Sequence, residues 1–204
     1  MKLYTFENAP NPRRVHIYLR EKGLEVPFQH VDIMKRENRT PEFMQAHNPL
    51  GGLPVLELDD GTQLAESVAI CRYLESEHPE PPLFGRDSRE RGLVEMWIRR
   101  VELGFMMPVG LVWIHDNPLT KGVIANPIRE VAEQNRAVVA RFYRFLDEQL
   151  EGRDFLATFD FTMADILALP TMDFAVGLND LKPAAELENI ARWHAMVSAR
   201  PSVG

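Results

Sequence analysis

The chain has 204 residues, of which 45% are hydrophobic and 26% charged, a mixture typical of a folded globular protein. The 23 basic and 30 acidic side chains give a formal net charge of −7, which argues against a general nucleic-acid binder because phosphate contacts need a basic face. The sequence has no apolar run long enough to span a membrane, no signal-peptide pattern and one cysteine, so we expect a cytoplasmic protein with no membrane, disulfide framework or metal.

Strand-like and helix-like segments alternate over the first eighty residues. In chain order we predict a strand over 2–6, a helix from Pro12 to Gly23, a strand over 28–33, a helix beginning at Thr40, a strand over 53–58, a hairpin turn over 59–62, a strand over 63–65 and a helix from Glu66 through Leu74. This order predicts a small mixed sheet with helices on its faces.

A proline-rich stretch from Pro79 to Pro82 marks the best candidate for a domain boundary, because such a sequence forms a stiff linker. We predict a first domain over residues 1–80, a linker over 81–86 and a second domain over 87–204. The fold class is therefore α/β followed by all-α.

Apolar residues at helical spacing predict long helices after the linker. One spans about 87–115 and is expected to kink at Pro108 and Gly110, and another spans 126–152. Further on, Thr162 and Asp165 have the spacing of a capping box, in which each side chain accepts a hydrogen bond from the other residue's backbone amide. The helix that this box begins should be buried.

These segments carry a family resemblance. The motifs concerned are Leu53-Pro54, Glu66-Ser67, the Thr162/Asp165 box, Asn11 to Val15 and Glu21-Lys22-Gly23. In this spacing the whole chain resembles the cytosolic glutathione transferases, in the bacterial and fungal branch of the yeast-type glutathione transferase 2. The resemblance implies a thioredoxin-like N-terminal domain with a mixed four-stranded sheet and a cis-proline, and an all-helical C-terminal domain.

The resemblance also implies a site for reduced glutathione as co-substrate. A cis bond between Leu53 and Pro54 would leave the Leu53 backbone to hold the cysteinyl part, Ser67 would bind the γ-glutamyl carboxylate, and Glu66 the amino group. Arg39 would bind the glycyl carboxylate. Each position has a plain alternative: Pro54 ends an edge strand, Ser67 caps a helix, and Arg39 is a solvated charge.

The residues expected beside the glutathione sulfur depart from the family pattern. Most members place a Tyr, Ser or Cys beside the glutathione sulfur, whereas the turn over residues 8–12 contains neither a hydroxyl nor a thiol. The candidates that remain to stabilise a thiolate are Asn11 or Asn8 at the start of the first helix, His115 acting through water, and Tyr4. Alternatively, His115 is a cation at a helix C-terminus and Tyr4 is a core residue.

Two further positions set expectations. Relatives commonly carry Lys, Arg or Gln after glycine where this chain has Gly51-Gly52, so we expect a flexible loop and weakened carboxylate binding. Cys71 lies among apolar neighbours in a helix and is predicted to be a core residue rather than a nucleophile.

The pocket for the second substrate is predicted on the first long helix. Met106, Met107 and Trp113, together with Phe105, would give an adaptable apolar wall. Alternatively, this stripe packs the core of the helical bundle.

The sequence thus predicts a homodimeric glutathione transferase that conjugates glutathione to a hydrophobic electrophile or uses it to reduce peroxides. The rival hypothesis is a non-catalytic binding or regulatory protein on the same fold, since a fold does not fix a function. A glutathione-dependent lyase or dehalogenase is a third hypothesis within the enzyme class.

Overall fold

Residues 1–121 and 123–204 are described by a computed structural model, and they divide into two units, Met1–Leu83 and Phe84–Gly204. The first unit contains one sheet, whose strands are β1 (Lys2–Thr5), β2 (Phe28–His30), β3 (Val55–Glu57) and β4 (Gln63–Ala65). Their spatial order is β2-β1-β3-β4. β1 is parallel to β2, and the β1–β3 and β3–β4 pairs are antiparallel, so the predicted mixed sheet and hairpin are confirmed.

Three helices flank this sheet, namely α1 (Pro10–Lys22), α2 (Pro41–Ala46) and α3 (Ser67–Glu77). Successive side chains of β1 point to opposite faces, as in any strand. Thr5 lies on the face of α1, where its Oγ1 is 2.8 Å from His16 Nε2. Tyr4 lies on the face of α2 and meets the ring of Phe43 edge-on. The sheet therefore separates two packed layers.

Local signals in the sequence set most of the element ends in this unit. Gly23 ends α1 in the left-handed conformation, and the hydroxyl of Thr40 caps α2 by accepting from the amide of Phe43 at 3.2 Å. The strand predicted over 28–33 is shorter than expected. Asp32 ends it, because its carboxylate accepts hydrogen bonds from the amides of Met34 and Lys35 and turns the chain.

The second unit is helical. Its helices are α4 (Ser88–Val101), α5 (Met107–Asp116), α6 (Arg129–Gln149), α7 (Met163–Asn179) and α8 (Glu188–Ser198). Large aromatic side chains fill its core, among them Trp97, Phe105, Tyr143 and Trp193. Among the described residues, no helix combines the length and apolar character needed to cross a membrane.

The long helix predicted over about 87–115 is interrupted before Pro108 rather than at Pro108 and Gly110. A π-helical turn over Glu102–Met106 joins α4 to α5, and Pro108 sits in the first turn of α5. Proline has no N–H for a helical hydrogen bond, and just before it the amide of Met107 donates to the carbonyl of Glu102, five residues back. The π-helical turn therefore lies directly before Pro108, the residue that cannot donate a helical hydrogen bond.

The helix predicted from 126 begins three residues later. The backbone of Ile128 is extended, and its amide donates to His115 Nδ1 at 3.0 Å, so α6 starts at Arg129. The capping box at the start of α7 is confirmed. The amide of Thr162 donates to Asp165 Oδ2 at 3.1 Å, and the hydroxyl of Thr162 accepts from the backbone.

Candidate functional site

The N-terminus of α3 has no side-chain cap. The amide of Ile70 donates to the carbonyl of Glu66, which is the first hydrogen bond of the helix. The amides of Ser67, Val68 and Ala69 come before it and have no helical carbonyl to bond, and the side chain of Glu66, the N-cap residue, makes no capping hydrogen bond. Ser67 is the first helical residue rather than the cap, so the interpretation of Ser67 as a simple capping residue is wrong. Uncapped amides and the helix dipole together favour an anion at this place.

Glu66 precedes this helix in an unusual backbone conformation. Its φ of 69° lies in the left-handed region, where residues other than glycine are uncommon, and its side chain is exposed. A strained backbone conformation persists only where the surrounding structure maintains it, and such conformations often occur at functional sites. The conformation turns the chain sharply from β4 into α3, with the Glu66 side chain at the helix end.

Leu53 and Pro54 precede β3, and the peptide bond between them is cis. Leu53 lies outside the strand pairing, which begins at Val55 opposite Tyr4. Its half-buried side chain packs on the apolar cluster of Tyr4, Val31 and Val55. The structure therefore fixes the position of Leu53 by its side chain rather than by pairing of its backbone in the sheet.

The N-terminus of α1 offers few donors. Pro10 and Pro12 have no N–H, and the amide of Arg13 already donates to the carbonyl of Ala9. Asn11 is consequently the residue in the first turn that combines a backbone N–H with a side-chain amide. Its Oδ1 is buried with no hydrogen-bond partner among the described residues, which is an unusual state for a polar atom.

Asn8 and Tyr4 are placed differently. Asn8 lies on the exposed turn before α1. The hydroxyl of Tyr4 donates to Glu57 Oε2 at 3.0 Å, and the ring stacks on His47 with centroids 4.0 Å apart. Burial and the neighbouring Glu57 raise the pKa of Tyr4 above its ordinary value. Of the two alternatives for Tyr4, the structure favours the core residue, whose hydroxyl proton is donated to the carboxylate of Glu57.

Cys71 has no exposed surface, and burial raises the pKa of its thiol far above the ordinary value. A buried thiol of this kind stays protonated and is a poor nucleophile. The prediction that Cys71 is a core residue is confirmed.

Two side-chain hydrogen bonds tie the loop with Gly51 and Gly52 to its neighbours. Asn38 Nδ2 donates to the carbonyl of Gly51 at 2.6 Å, and Asn48 Nδ2 donates to that of Gly52 at 3.0 Å. Gly51 has a φ of 59°, and a Cβ there would lie 2.7 Å from the carbonyl oxygen of Asn38 and 3.1 Å from Arg39 Nη1. A longer side chain does not fit at this position.

Arg39 lies against this loop on the surface of the unit. Its Nη1 donates to the carbonyl of Leu50 at 2.6 Å, which leaves other guanidinium donors for an anion. The side chain occupies the space next to Gly51 that a Cβ would invade. The position of the Arg39 side chain therefore depends on the absence of a side chain at Gly51.

The residues predicted to line the second-substrate pocket lie in the helical unit. Phe105 is fully buried and stacks on Phe142, so it belongs to the bundle core, as the alternative interpretation had it. Met107 is 50% exposed. Met106 and Trp113 are half-buried, and Trp113 meets the ring of Phe174 edge-on.

His115 lies in the last turn of α5 and makes a structural contact. Its Nδ1 accepts the amide proton of Ile128 at 3.0 Å, and a ring nitrogen that accepts carries no proton. Its Nε2 is the nitrogen that could still meet a water molecule.

Arg14 is the residue of this site that the sequence did not indicate. It is 3% exposed, and its Nη1 donates to Ser67 Oγ at 3.4 Å. The available signal was the position of Arg14 within the helical pattern, directly before Val15 on a buried stretch of α1.

Among the residues that the structure describes, no group of three His, Cys, Asp or Glu side chains is arranged to hold a metal ion.

Comparison with known proteins assigns both units. Residues 3–82 match the model of the glutathione S-transferase N-terminal domain, and residues 106–201 match that of the C-terminal domain. Glutathione S-transferase 2 of Saccharomyces cerevisiae is 34% identical over 206 residues, which covers 100% of this chain and 88% of the relative.

Solved structures agree. A glutathione S-transferase domain-containing protein of Marinobacter aquaeolei is 37% identical with a TM-score of 0.93, and the match covers 100% of both chains. Gtt2 of Saccharomyces cerevisiae is 33% identical with a TM-score of 0.92, covering 100% of this chain and 98% of that one. The chain therefore belongs to the glutathione S-transferase family of enzymes, and resembles its yeast member Gtt2 over its whole length.

Proposed function

We propose that the protein binds reduced glutathione on its first unit and transfers the thiolate to a hydrophobic electrophile. The observation that carries this proposal is the uncapped N-terminus of α3, where Ser67 and three backbone amides are left for an anion. In this proposal the γ-glutamyl carboxylate binds at Ser67, and the amino group binds the carboxylate of Glu66. The backbone of Leu53, before Pro54, holds the cysteinyl part.

The glycyl carboxylate is proposed to bind Arg39. Because Gly51 and Gly52 provide no cation, the guanidinium of Arg39 beside Gly51 is the group that can take over this role. The protein would then position glutathione by both ends, with its sulfur between them. Positioning of this kind is one of the two contributions that a transferase makes, and thiolate stabilisation is the other.

Thiolate stabilisation is proposed to come from Asn11 rather than Asn8. Lowering a thiol pKa from about 8.5 to about 6.5 requires roughly 2.7 kcal/mol of preferential stabilisation of the anion. A hydrogen bond to a charged group contributes about 1.5–3 kcal/mol. Asn11 has two donors, and the positive end of α1 lies behind it, so a hydroxyl or a cysteine is not required.

The remaining roles concern the helical unit and the setting of the protein. We propose that Met106, Met107 and Trp113 contact the apolar electrophile, and that Nε2 of His115 acts on the sulfur through water. The enzyme is further proposed to work in the cytoplasm as a homodimer, in detoxification, without a metal, nucleic acid or membrane partner. Peroxide reduction with glutathione is proposed as a second activity of the same thiolate.

Ser67→Ala is expected to weaken glutathione binding about tenfold, because it removes one hydrogen bond to a charged carboxylate. Isothermal titration with glutathione measures the change. Ser76→Ala is the matched control, since Ser76 lies on the same helix, is exposed and bonds only the carbonyl of Arg72 among the described residues. Equal affinities in the two variants would remove Ser67 from the site.

Asn11→Ala is expected to raise the pKa of the bound glutathione thiol by about one unit, because one of the proposed donors to the sulfur is lost. The thiolate absorbance of bound glutathione, followed against pH, measures the shift. Asn8→Ala is the control from the same turn and should leave the pKa unchanged. If Asn8→Ala produced the larger shift, the assignment would pass to that residue.

The rival hypothesis, a non-catalytic protein on the transferase fold, rests on the lack of a hydroxyl or thiol over residues 8–12. It predicts that glutathione keeps its ordinary thiol pKa in the presence of the protein. Transfer of glutathione to a chromogenic aromatic electrophile, with formation of the thioether, tests the proposed activity directly. A protein that binds glutathione but forms no thioether with any electrophile would favour the rival.

A further inference from the structure

A cavity of about 690 Å³ lies in the first unit, between the second half of α1 and the segment that leads into β2. His16, Leu19 and Arg20 line it from α1, and residues 24–28 form the opposite wall. Small-molecule sites have volumes of about 300–1,000 Å³, so the cavity is large enough for a ligand. Its lining contains none of the described residues that are proposed to bind glutathione.

The wall opposite α1 is apolar. It consists of Leu24, Val26, Pro27 and Phe28, and the last of these begins β2, which is an edge strand of the sheet. The Phe28 side chain is 57% exposed, although its ring meets that of His16 edge-on with centroids 5.7 Å apart. An aromatic surface is therefore available at the cavity for the apolar body of a ligand.

The lining has an excess of negative charge. Its titratable groups are Glu7, His16, Arg20 and Glu25. Burial lowers the pKa of His16, against the opposing effect of Glu7, so the imidazole is neutral at neutral pH. Two carboxylates against one guanidinium then leave the lining with a charge of −1.

The two carboxylates differ in their partners. Glu7 Oε1 lies 3.4 Å from His16 Nδ1 and 3.9 Å from Arg20 Nη2, so Glu7 and Arg20 offset each other's charge. Glu25 is exposed, and it forms no ion pair with any residue that the structure describes. The apolar wall thus has an uncompensated carboxylate within it, between Leu24 and Val26 in the sequence.

We propose that this cavity binds a small organic cation, in which an ammonium group is carried on an apolar or aromatic body. The ammonium group pairs with the carboxylate of Glu25, and the body lies on the apolar wall beside Phe28. A cation close to an aromatic face gains a further attraction from the ring. The inference is independent of the proposed function, because no residue of the proposed glutathione site takes part in it.

The probe for this site is 2-phenylethylammonium, titrated into the ¹⁵N-labelled full chain and followed by NMR. Saturable shifts are expected for the amides of residues 24–28 and of His16. Phenylacetate and 2-phenylethanol have the same ring without the positive charge, and each should bind at least about threefold more weakly. Saturating glutathione should leave the dissociation constant of 2-phenylethylammonium unchanged.

Two exposed positions provide the variants, so their substitution should not prevent folding. Glu25→Gln is expected to weaken binding of the probe about threefold, and Phe28→Ala about fivefold. The matched controls are Glu42→Gln, an exposed carboxylate on α2, and Phe159→Ala, a 99% exposed ring in the second unit. Both controls should bind the probe as wild type does.

Three results would overturn the proposal. They are equal binding of phenylacetate and 2-phenylethylammonium, displacement of the probe by glutathione, and the lack of saturable binding up to about 20 mM probe. A protein that binds the probe in this cavity but fails to bind glutathione would contradict the proposed function and leave this inference standing.

Discussion

Asp165→Asn is expected to lower the free energy of unfolding by about 2–5 kcal/mol, a large part of the stability of a domain. Asp165 is fully buried at the start of α7 and accepts four hydrogen bonds. Oδ1 accepts from the amide of Leu156 and from Trp193 Nε1, each at 3.0 Å, and Oδ2 accepts from the amide and hydroxyl of Thr162. Asparagine would place an NH₂ group against two of these donors.

Urea denaturation followed by circular dichroism measures the change. The control is Asp154→Asn, because Asp154 is an exposed carboxylate paired with Arg192 and should change stability by less than about 1 kcal/mol. If the two variants were equally stable, the buried network around Asp165 would not hold the helical unit together.

The pH dependence of this difference has a definite sign. Burial raises the pKa of Asp165 to about 6, against the opposing effect of its hydrogen bonds. Between about pH 4 and 6 the folded state therefore binds more protons than the unfolded state, and stability from Asp165 falls as the pH rises. The advantage of wild type over Asp165→Asn should be about 2 kcal/mol larger at pH 4 than at pH 7. An advantage that grew with pH would contradict this assignment.

Lys22→Met is expected to destabilise the first unit by about 3–5 kcal/mol, because it removes the cation from a buried ion pair. The ammonium of Lys22 has no exposed surface and lies 2.6 Å from Glu75 Oε2. It also donates to the carbonyls of His78 and Pro81, at 2.7 and 2.5 Å. Without it, Glu75 loses its cation, and the carbonyls of His78 and Pro81 lose a donor.

The unfolding transition of the first unit in urea measures this effect. Adding Glu75→Gln to Lys22→Met should restore part of the loss, since it removes the charge that was left. Lys35→Met is the control, because Lys35 is exposed and its contact with Asp32 should contribute less than about 1 kcal/mol. If Lys22→Met cost no more than Lys35→Met, the three contacts of Lys22 would be incidental.

Signals between neighbouring residues made much of this fold predictable. The hairpin before β4, the cap of α2 by Thr40 and the capping box at Thr162 each depend on residues a few positions apart. The π-helical turn over Glu102–Met106 was less accessible, because the sequence shows where a proline interrupts a helix but not which turn adjusts.

Arg14 and Lys22 show what sequence patterns leave out. Both are charged residues on α1, which the local sequence would predict to be solvent-exposed. Their partners are distant in the sequence: Arg14 contacts Ser67, 53 residues away, and Lys22 contacts His78, 56 residues away. Burial of a charge depends on such distant partners, which periodicity does not reveal. At the candidate site, Ser67 and Asn11 were predicted from the family motif and from their positions at helix starts. The contact of Arg14 with Ser67 became visible only in the structure.

The measurement that tests the central claim most directly is a pH titration of glutathione thiolate absorbance, with and without saturating wild-type protein. We predict that binding lowers the thiol pKa by one unit or more, which would show that the site both holds glutathione and activates its sulfur. An unshifted pKa for bound glutathione would contradict the claim that this member of the family stabilises the thiolate at the start of α1.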